Sequence, residues 1–169
     1  MIIGNQTKLY YKKKSWLTPK HPLYFEEEEF KIYYASAVMI HAEKNQSMPP
    51  EQNYELERLL HHGLELNAGQ MARVLKKAAN PSEVLDYLYS HTELGMKRYL
   101  LMLDLYNISS EEELSRQETD NLWLLAHMLE IPEKYMRLFE HFIRGARKEN
   151  EEECRRIFAM MTECKIELS

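Results

Sequence analysis

The feature that most constrains this chain is a helix ending written twice. Leu59-Leu60-His61-His62-Gly63-Leu64-Glu65-Leu66 lines up with Leu124-Leu125-Ala126-His127-Met128-Leu129-Glu130-Ile131. The second copy closes a stretch, Leu114–Ile131, that is marked at both ends. Ser115-Arg116-Gln117-Glu118 is a Ser-x-x-Glu capping box, and Ile131-Pro132-Glu133 stops one helix and opens the next. Between them Leu122, Leu125, Ala126 and Leu129 fall at i, i+3, i+4 and i+7, one apolar stripe of a helix. A chain that repeats an amphipathic helix together with its stop signal has to pack helices on helices.

The same periodicity predicts helices along most of the chain. Phe25-Glu26-Glu27-Glu28-Glu29 puts acids in a first turn, and Phe30, Tyr33, Tyr34, Ala37, Val38 and His41 trace one face of a helix ending near Glu43–Asn45. A second helix opens at Met48-Pro49-Pro50-Glu51 and turns Leu56, Leu59, Leu60 and Gly63 inward. Asn67-Ala68-Gly69 breaks the chain before a short helix with Met71, Val74, Leu75 and Ala78 on its face. Asn80-Pro81-Ser82-Glu83 starts another, holding Val84, Leu85 and Leu88. The helix through Met96, Tyr99, Leu100, Leu103 and Tyr106 is apolar on most sides, which places it at the centre of a bundle. Tyr135, Leu138, Phe139 and Phe142 make a further helix, and Cys154, Ile157, Phe158 and Met161 a last one. The expected fold is therefore all-α, a single-domain bundle of seven or eight helices built on an internal helix-loop-helix duplication.

Charge divides the chain. Residues 1–24 carry Lys8, Lys12, Lys13, Lys14 and Lys20 and no acid, within a total formal charge of −5. With Pro19 and Pro22 and no helical period, this segment reads as an extended basic-aromatic arm before a helical domain at 25–148 and a C-terminal helix at 149–169. Its Tyr10, Tyr11 and Trp16, interleaved with Lys12, Lys13 and Lys14, fit packing on the acidic body. They also fit a nucleic-acid strand or an anionic membrane surface. The overall negative charge argues against duplex nucleic acid. No uncharged run approaches 18 residues and no apolar leader opens the chain, so neither a membrane span nor a signal peptide is expected. Cys154 and Cys164, ten apart in a predicted helix, would sit about 15 Å apart, beyond disulfide reach, which suits a reducing cytoplasm. No stop signal precedes Ser169, so a continuation beyond it stays open.

Allowing a two-residue difference in loop length, the duplication extends upstream: Val38-Met39-Ile40 matches Leu101-Met102-Leu103. An apolar helix, a polar loop and a Glu-bearing helix ending in Leu-Leu-x-His-x-Leu-Glu, written twice over residues 25–145, resemble the tellurite-resistance TerB-like family of all-helical domains. That resemblance implies a pseudo-two-fold arrangement and a place in stress-response or membrane-linked complexes. It also implies carboxylates clustered at the loops for a divalent cation, for which Glu43, Asp104 and Glu118 are the counterparts here, with Glu51 a further partner. The family's Asp-Gly pair is missing from both loops, His41-Ala42-Glu43-Lys44-Asn45 and Asp104-Leu105-Tyr106-Asn107, which removes a sharp turn and a ligand. These acids therefore read first as caps and solvated charges, with no resident cofactor.

His62-x-x-Glu65 and His127-x-x-Glu130 recur at equivalent positions, but in the order opposite to a di-iron Glu-x-x-His, and equivalence favours a structural role. No Gly-rich phosphate loop, Gly-x-Ser-x-Gly or Cys-x-x-Cys is present, so an enzyme is not expected. The expected function is a non-catalytic cytoplasmic scaffold or adaptor that binds a protein partner through a helix face, with Ile157, Phe158 and Met161 of the last helix as candidates. A divalent-cation sensor and a single-stranded nucleic-acid or RNA binder, the latter through the arm, are the alternatives.

Overall fold

A computed structural model describes residues 7, 10, 11, 20–45, 53–93, 95–109, 114–147 and 156. Among them are seven α-helices and no strand: α1 (Glu28–Asn45), α2 (Tyr54–Glu57), α3 (Ala68–Ala78), α4 (Pro81–His91), α5 (Met96–Ile108), α6 (Arg116–Met128) and α7 (Glu133–Arg147), with α2 running on into a π-helical turn over Arg58–Gly63. The all-α bundle expected from periodicity is what forms.

The caps lie where short polar side chains precede apolar periods. Asn53 accepts from the Leu56 amide, Asn67 exchanges bonds with Gln70, Asn80 precedes Pro81 at the first position of α4, and the Ser115 hydroxyl accepts from the Glu118 amide. Two helices form the centre. Every residue of α5 from Arg98 to Ile108 is buried, and so is α1 from Ile32 to Met39. The one-sided face expected for α1 is an underestimate, because Ile32, Ala35, Ser36 and Met39 are buried as well, and Ser36 satisfies its hydroxyl by donating to the Ile32 carbonyl at 2.6 Å.

The duplication organises the packing. The centre helices α1 and α5 touch each other; α1 carries α2 and α3 as α5 carries α6 and α7. Each capped helix ends with a glutamate in the left-handed region, Glu65 at φ 56° and Glu130 at φ 62°, the two described non-glycine residues with positive φ. Each glutamate accepts from a tyrosine, Tyr24 at 2.7 Å and Tyr89 at 3.1 Å. A basic side chain reaches the carbonyl just before each, Lys31 to Leu64 at 3.5 Å and Arg98 to Leu129 at 2.7 Å. The repeated Leu-Glu is thus a repeated helix stop. His62 and His127 are both exposed, so the equivalence expresses chain reversal rather than shared core packing.

Glycine tolerates a left-handed conformation that costs glutamate about 1 kcal/mol. Glu130→Gly is therefore expected to raise stability by about 0.5–1 kcal/mol in urea unfolding. Glu65→Gly should gain less, because it also removes the 2.9 Å ion pair with Lys20. Equal gains at the two positions would show that this ion pair contributes nothing.

Candidate functional site

Asp104 interrupts the apolar run of α5, and the core is arranged to receive it. Its carboxylate is buried and takes three donors: the Tyr11 hydroxyl at 2.7 Å, the His21 Nε2 at 2.8 Å, and the Tyr34 hydroxyl. The Leu23 amide donates to His21 Nδ1 at 3.0 Å, which places the ring proton on Nε2, facing Asp104. Burial, and then the Asp104 charge, push Tyr10, Tyr11 and Tyr34 well above the ordinary phenol value, so the hydroxyls remain donors. Beside this group the Tyr10 ring lies 4.0 Å from the Arg58 guanidinium carbon, Arg58 directs two nitrogens at Glu55 Oε2 at 3.1 Å each, and Asn107 donates to the same oxygen at 2.7 Å. Gly63 makes room: a Cβ there would stand 3.1 Å from both the Tyr10 ring and the His21 Cβ.

Where residues 1–24 are described, the backbone at Thr7, Tyr10 and Tyr11 departs from the extended form expected, and the two tyrosines follow the expectation of packing on the body. Thr7, Tyr10 and Tyr11 are helical and buried, so the two tyrosines pack on the body and offer no surface for stacking a nucleic acid. Lys12, Lys13, Lys14 and Trp16 lie outside the described residues, as do Ile157, Phe158 and Met161. The three acids singled out as a cation set do not converge. Asp104 is bonded as above, Glu43 is exposed on α1, and Glu118 is buried in the first turn of α6. Among the described residues no three histidine, cysteine, aspartate or glutamate side chains are grouped to hold a metal ion. Sequence reasoning missed His21, Tyr34, Glu55 and Arg58. The available signal was Asp104 itself, since a lone acid between Leu103 and Leu105 in a central helix requires buried donors.

Among the described residues three depressions are open to solvent: about 530 Å³ beside Tyr33, Glu83 and Tyr87, about 410 Å³ beside Met39, Leu60 and Met71, and a more apolar groove of about 320 Å³ between α1, α4 and α6. Ile40, Leu85 and Leu125 line it, and Leu124 and Met128, one turn apart on α6, stand 59% and 45% exposed at its edge. Two ionisable side chains line it, Lys44 and the buried His41. Burial pushes the His41 imidazole down to about 4, and its Nε2 lies 3.2 Å from the Ser109 hydroxyl, which itself donates to the Leu105 carbonyl.

The groove is where the two halves differ. Across them α2 packs on α5, but the reciprocal packing of α6 on α1 is not made to the same extent. The repeat equivalents of Leu124, Leu125 and Met128 are Leu59, Leu60 and Gly63, all buried, Leu59 at 1% and Leu60 at 3% exposure. Among the described residues no helix is long and apolar enough to cross a membrane. No protein-family model matches the chain, and no curated protein and no solved structure matches it.

Asp104→Ala leaves three buried donors without an acceptor and is expected to cost about 3–5 kcal/mol in urea unfolding, against about 1–2 kcal/mol for Tyr11→Phe. His41 gives a pH dependence whose sign is fixed. Unfolded, it takes a proton near 6.5; folded, only near 4. Between those values the unfolded chain binds more protons, so stability falls as pH drops from about 6.5 to about 4, by up to about 3 kcal/mol. His41→Gln should flatten that part of the curve, measured by unfolding at pH 7.5, 6 and 5.

Proposed function

We propose that the protein is a non-catalytic helical adaptor that seats a protein partner in the groove between α1, α4 and α6. One observation carries this reading: equivalent residues of a duplicated fold are buried in one half and exposed in the other, around a preformed apolar depression. Exposed apolar side chains are ordinary singly, but Leu124 and Met128 are contiguous with Ile40, Leu85 and Leu125, the pattern of a surface that accepts an amphipathic helix. Support for a non-catalytic role comes from the densest ionisable cluster, around Asp104, whose carboxylate is 1% exposed and whose oxygens are engaged by core residues. The TerB-like resemblance belongs to the same reading, and with it a place in a stress-response or membrane-associated complex. The observed duplication of centre helix, capped helix and outer helix supports it.

Leu124 and Met128 are exposed enough to replace without unfolding the chain. A Leu124→Glu/Met128→Glu double variant is expected to keep the circular dichroism and melting temperature of the parent. In crosslinking affinity capture from the source cell it should lose about tenfold or more of a partner retained by the parent. Equal retention by parent and variant would remove the groove from the function.

A further inference from the structure

We propose that the depression of about 410 Å³ between α1, α2 with its π-helical turn, and α3 is a second docking surface, which takes a cationic segment of a partner protein: an apolar side chain flanked by lysine or arginine. It lies on the other flank of α1 and stands independently of the groove at α4 and α6.

Packing sets the apolar part. Met39 and Leu60 are buried in its lining, Met71 is half-buried, and Leu75, one turn further along α3, stands 54% exposed. Two of these four side chains are methionines, unbranched and polarisable, which adapt to an incoming aliphatic or aromatic group. The volume suits one or two anchoring side chains.

Charge identifies the occupant. The ionisable side chains lining the depression are Glu43, Glu57 and His61, and no lysine or arginine is among them. Both glutamates are exposed. Glu57 has only the His61 imidazole, at 3.5 Å, and Glu43 has no ion-pair partner among the described residues, whereas Glu26, Glu29, Glu65, Glu83 and Glu140 are each paired with a lysine or arginine. Helix formation does not call for Glu43 either. It lies in the last turn of α1, the negative end of the helix dipole, where a carboxylate is disfavoured. A cation brought by another molecule pairs with both carboxylates and relieves that repulsion. A metal ion does not fit the same place, since no three histidine, cysteine, aspartate or glutamate side chains are grouped to hold one among the described residues. The next residue of α1, Lys44, lines the groove at α4 and α6 instead. The two flanks of α1 therefore present opposite charge and select different segments.

The test uses the full chain with isotopically labelled methionine and leucine methyl groups, and synthetic peptides. The reference peptide carries a leucine and a phenylalanine four residues apart between flanking pairs of lysines. At low salt it is expected to shift the methyl groups of Met39, Met71 and Leu75 and to leave those of Leu85, Leu124 and Met128 unmoved. Replacing its lysines by glutamate should weaken it about tenfold or more, a difference that narrows at high salt, and replacing its leucine and phenylalanine by alanine should weaken it about tenfold. In the protein, Glu43→Gln/Glu57→Gln should weaken the reference peptide about threefold or more with the melting temperature held or raised, because a negative charge leaves the end of α1. Leu75→Ser should weaken it about tenfold with the circular dichroism unchanged. The inference is overturned if the glutamate peptide binds as well as the reference, if the Glu43→Gln/Glu57→Gln variant keeps full affinity, or if no peptide moves Met71 and Leu75. It is overturned in favour of the chain's own lysines if a peptide of residues 12–17 binds tightest. None of these outcomes alters the Leu124→Glu/Met128→Glu result, which decides the groove at α4 and α6.

Discussion

The structure depends on one buried carboxylate. Placing Asp104 inside a helix that is otherwise buried apolar surface would cost several kcal/mol unless its oxygens were met by donors. The three that meet it come from three separate places: Tyr11 from the N-terminal segment, His21 from the turn before α1, and Tyr34 from α1 itself. None is near Asp104 in sequence, so the carboxylate fastens the beginning of the chain to its middle. The adjoining Glu55, Arg58 and Asn107 do the same for α2 and α5, and Asn53 adds a bond from its amide to the Ile108 carbonyl at 2.9 Å. Bonds of this kind contribute little net stability each, but losing one partner leaves the rest orphaned, so they fix a single arrangement of the helices.

The same long-range bonding makes the burial of Tyr10 and Tyr11 harder to read from the sequence than the helices are. Helix positions are local information: Asn80 before Pro81, Ser115 before Arg116, and leucines at three- and four-residue spacing all act within a turn or two. The all-round apolarity of Leu100–Leu103 announced α5 as central for the same reason. Tyr10 and Tyr11 have no such local signature. Set among lysines, they present the composition of a solvated arm, and what holds them is distant in sequence: an acceptor 93 positions away for Tyr11, and the Arg58 guanidinium for Tyr10. The acid at 104 stands out in the sequence, but the family resemblance assigns it to a loop cation set. Only the folded chain brings His21 and Tyr34 to it. The groove is legible in part, since Leu124 and Leu125 align with Leu59 and Leu60, whereas the difference in their exposure is a property of the packed chain.

Duplicated halves that fold alike need not be finished alike. In the first, the π-helical turn at Arg58–Gly63 is tied to the N-terminal segment, with the His21 amide donating to the Gly63 carbonyl at 3.0 Å and Tyr10 filling the space above the glycine. In the second, α6 stays α-helical throughout, and a methionine stands at the corresponding position. A flexible, polarisable side chain there can adapt to an incoming surface, where a glycine would leave a hole.

Leaving this face open costs the fold little, because α6 is held from its ends and its opposite side. Ser115 caps its start, Glu130 turns the chain at its end, Arg98 reaches the Leu129 carbonyl, and Leu122 and Ala126 are buried against the core. The groove therefore exists before anything enters it. A site whose walls are already ordered spends none of the binding free energy on arranging itself. The same packing holds the exposed edge of α6 in place, so under the proposed adaptor role the ordering cost would fall on the segment that docks.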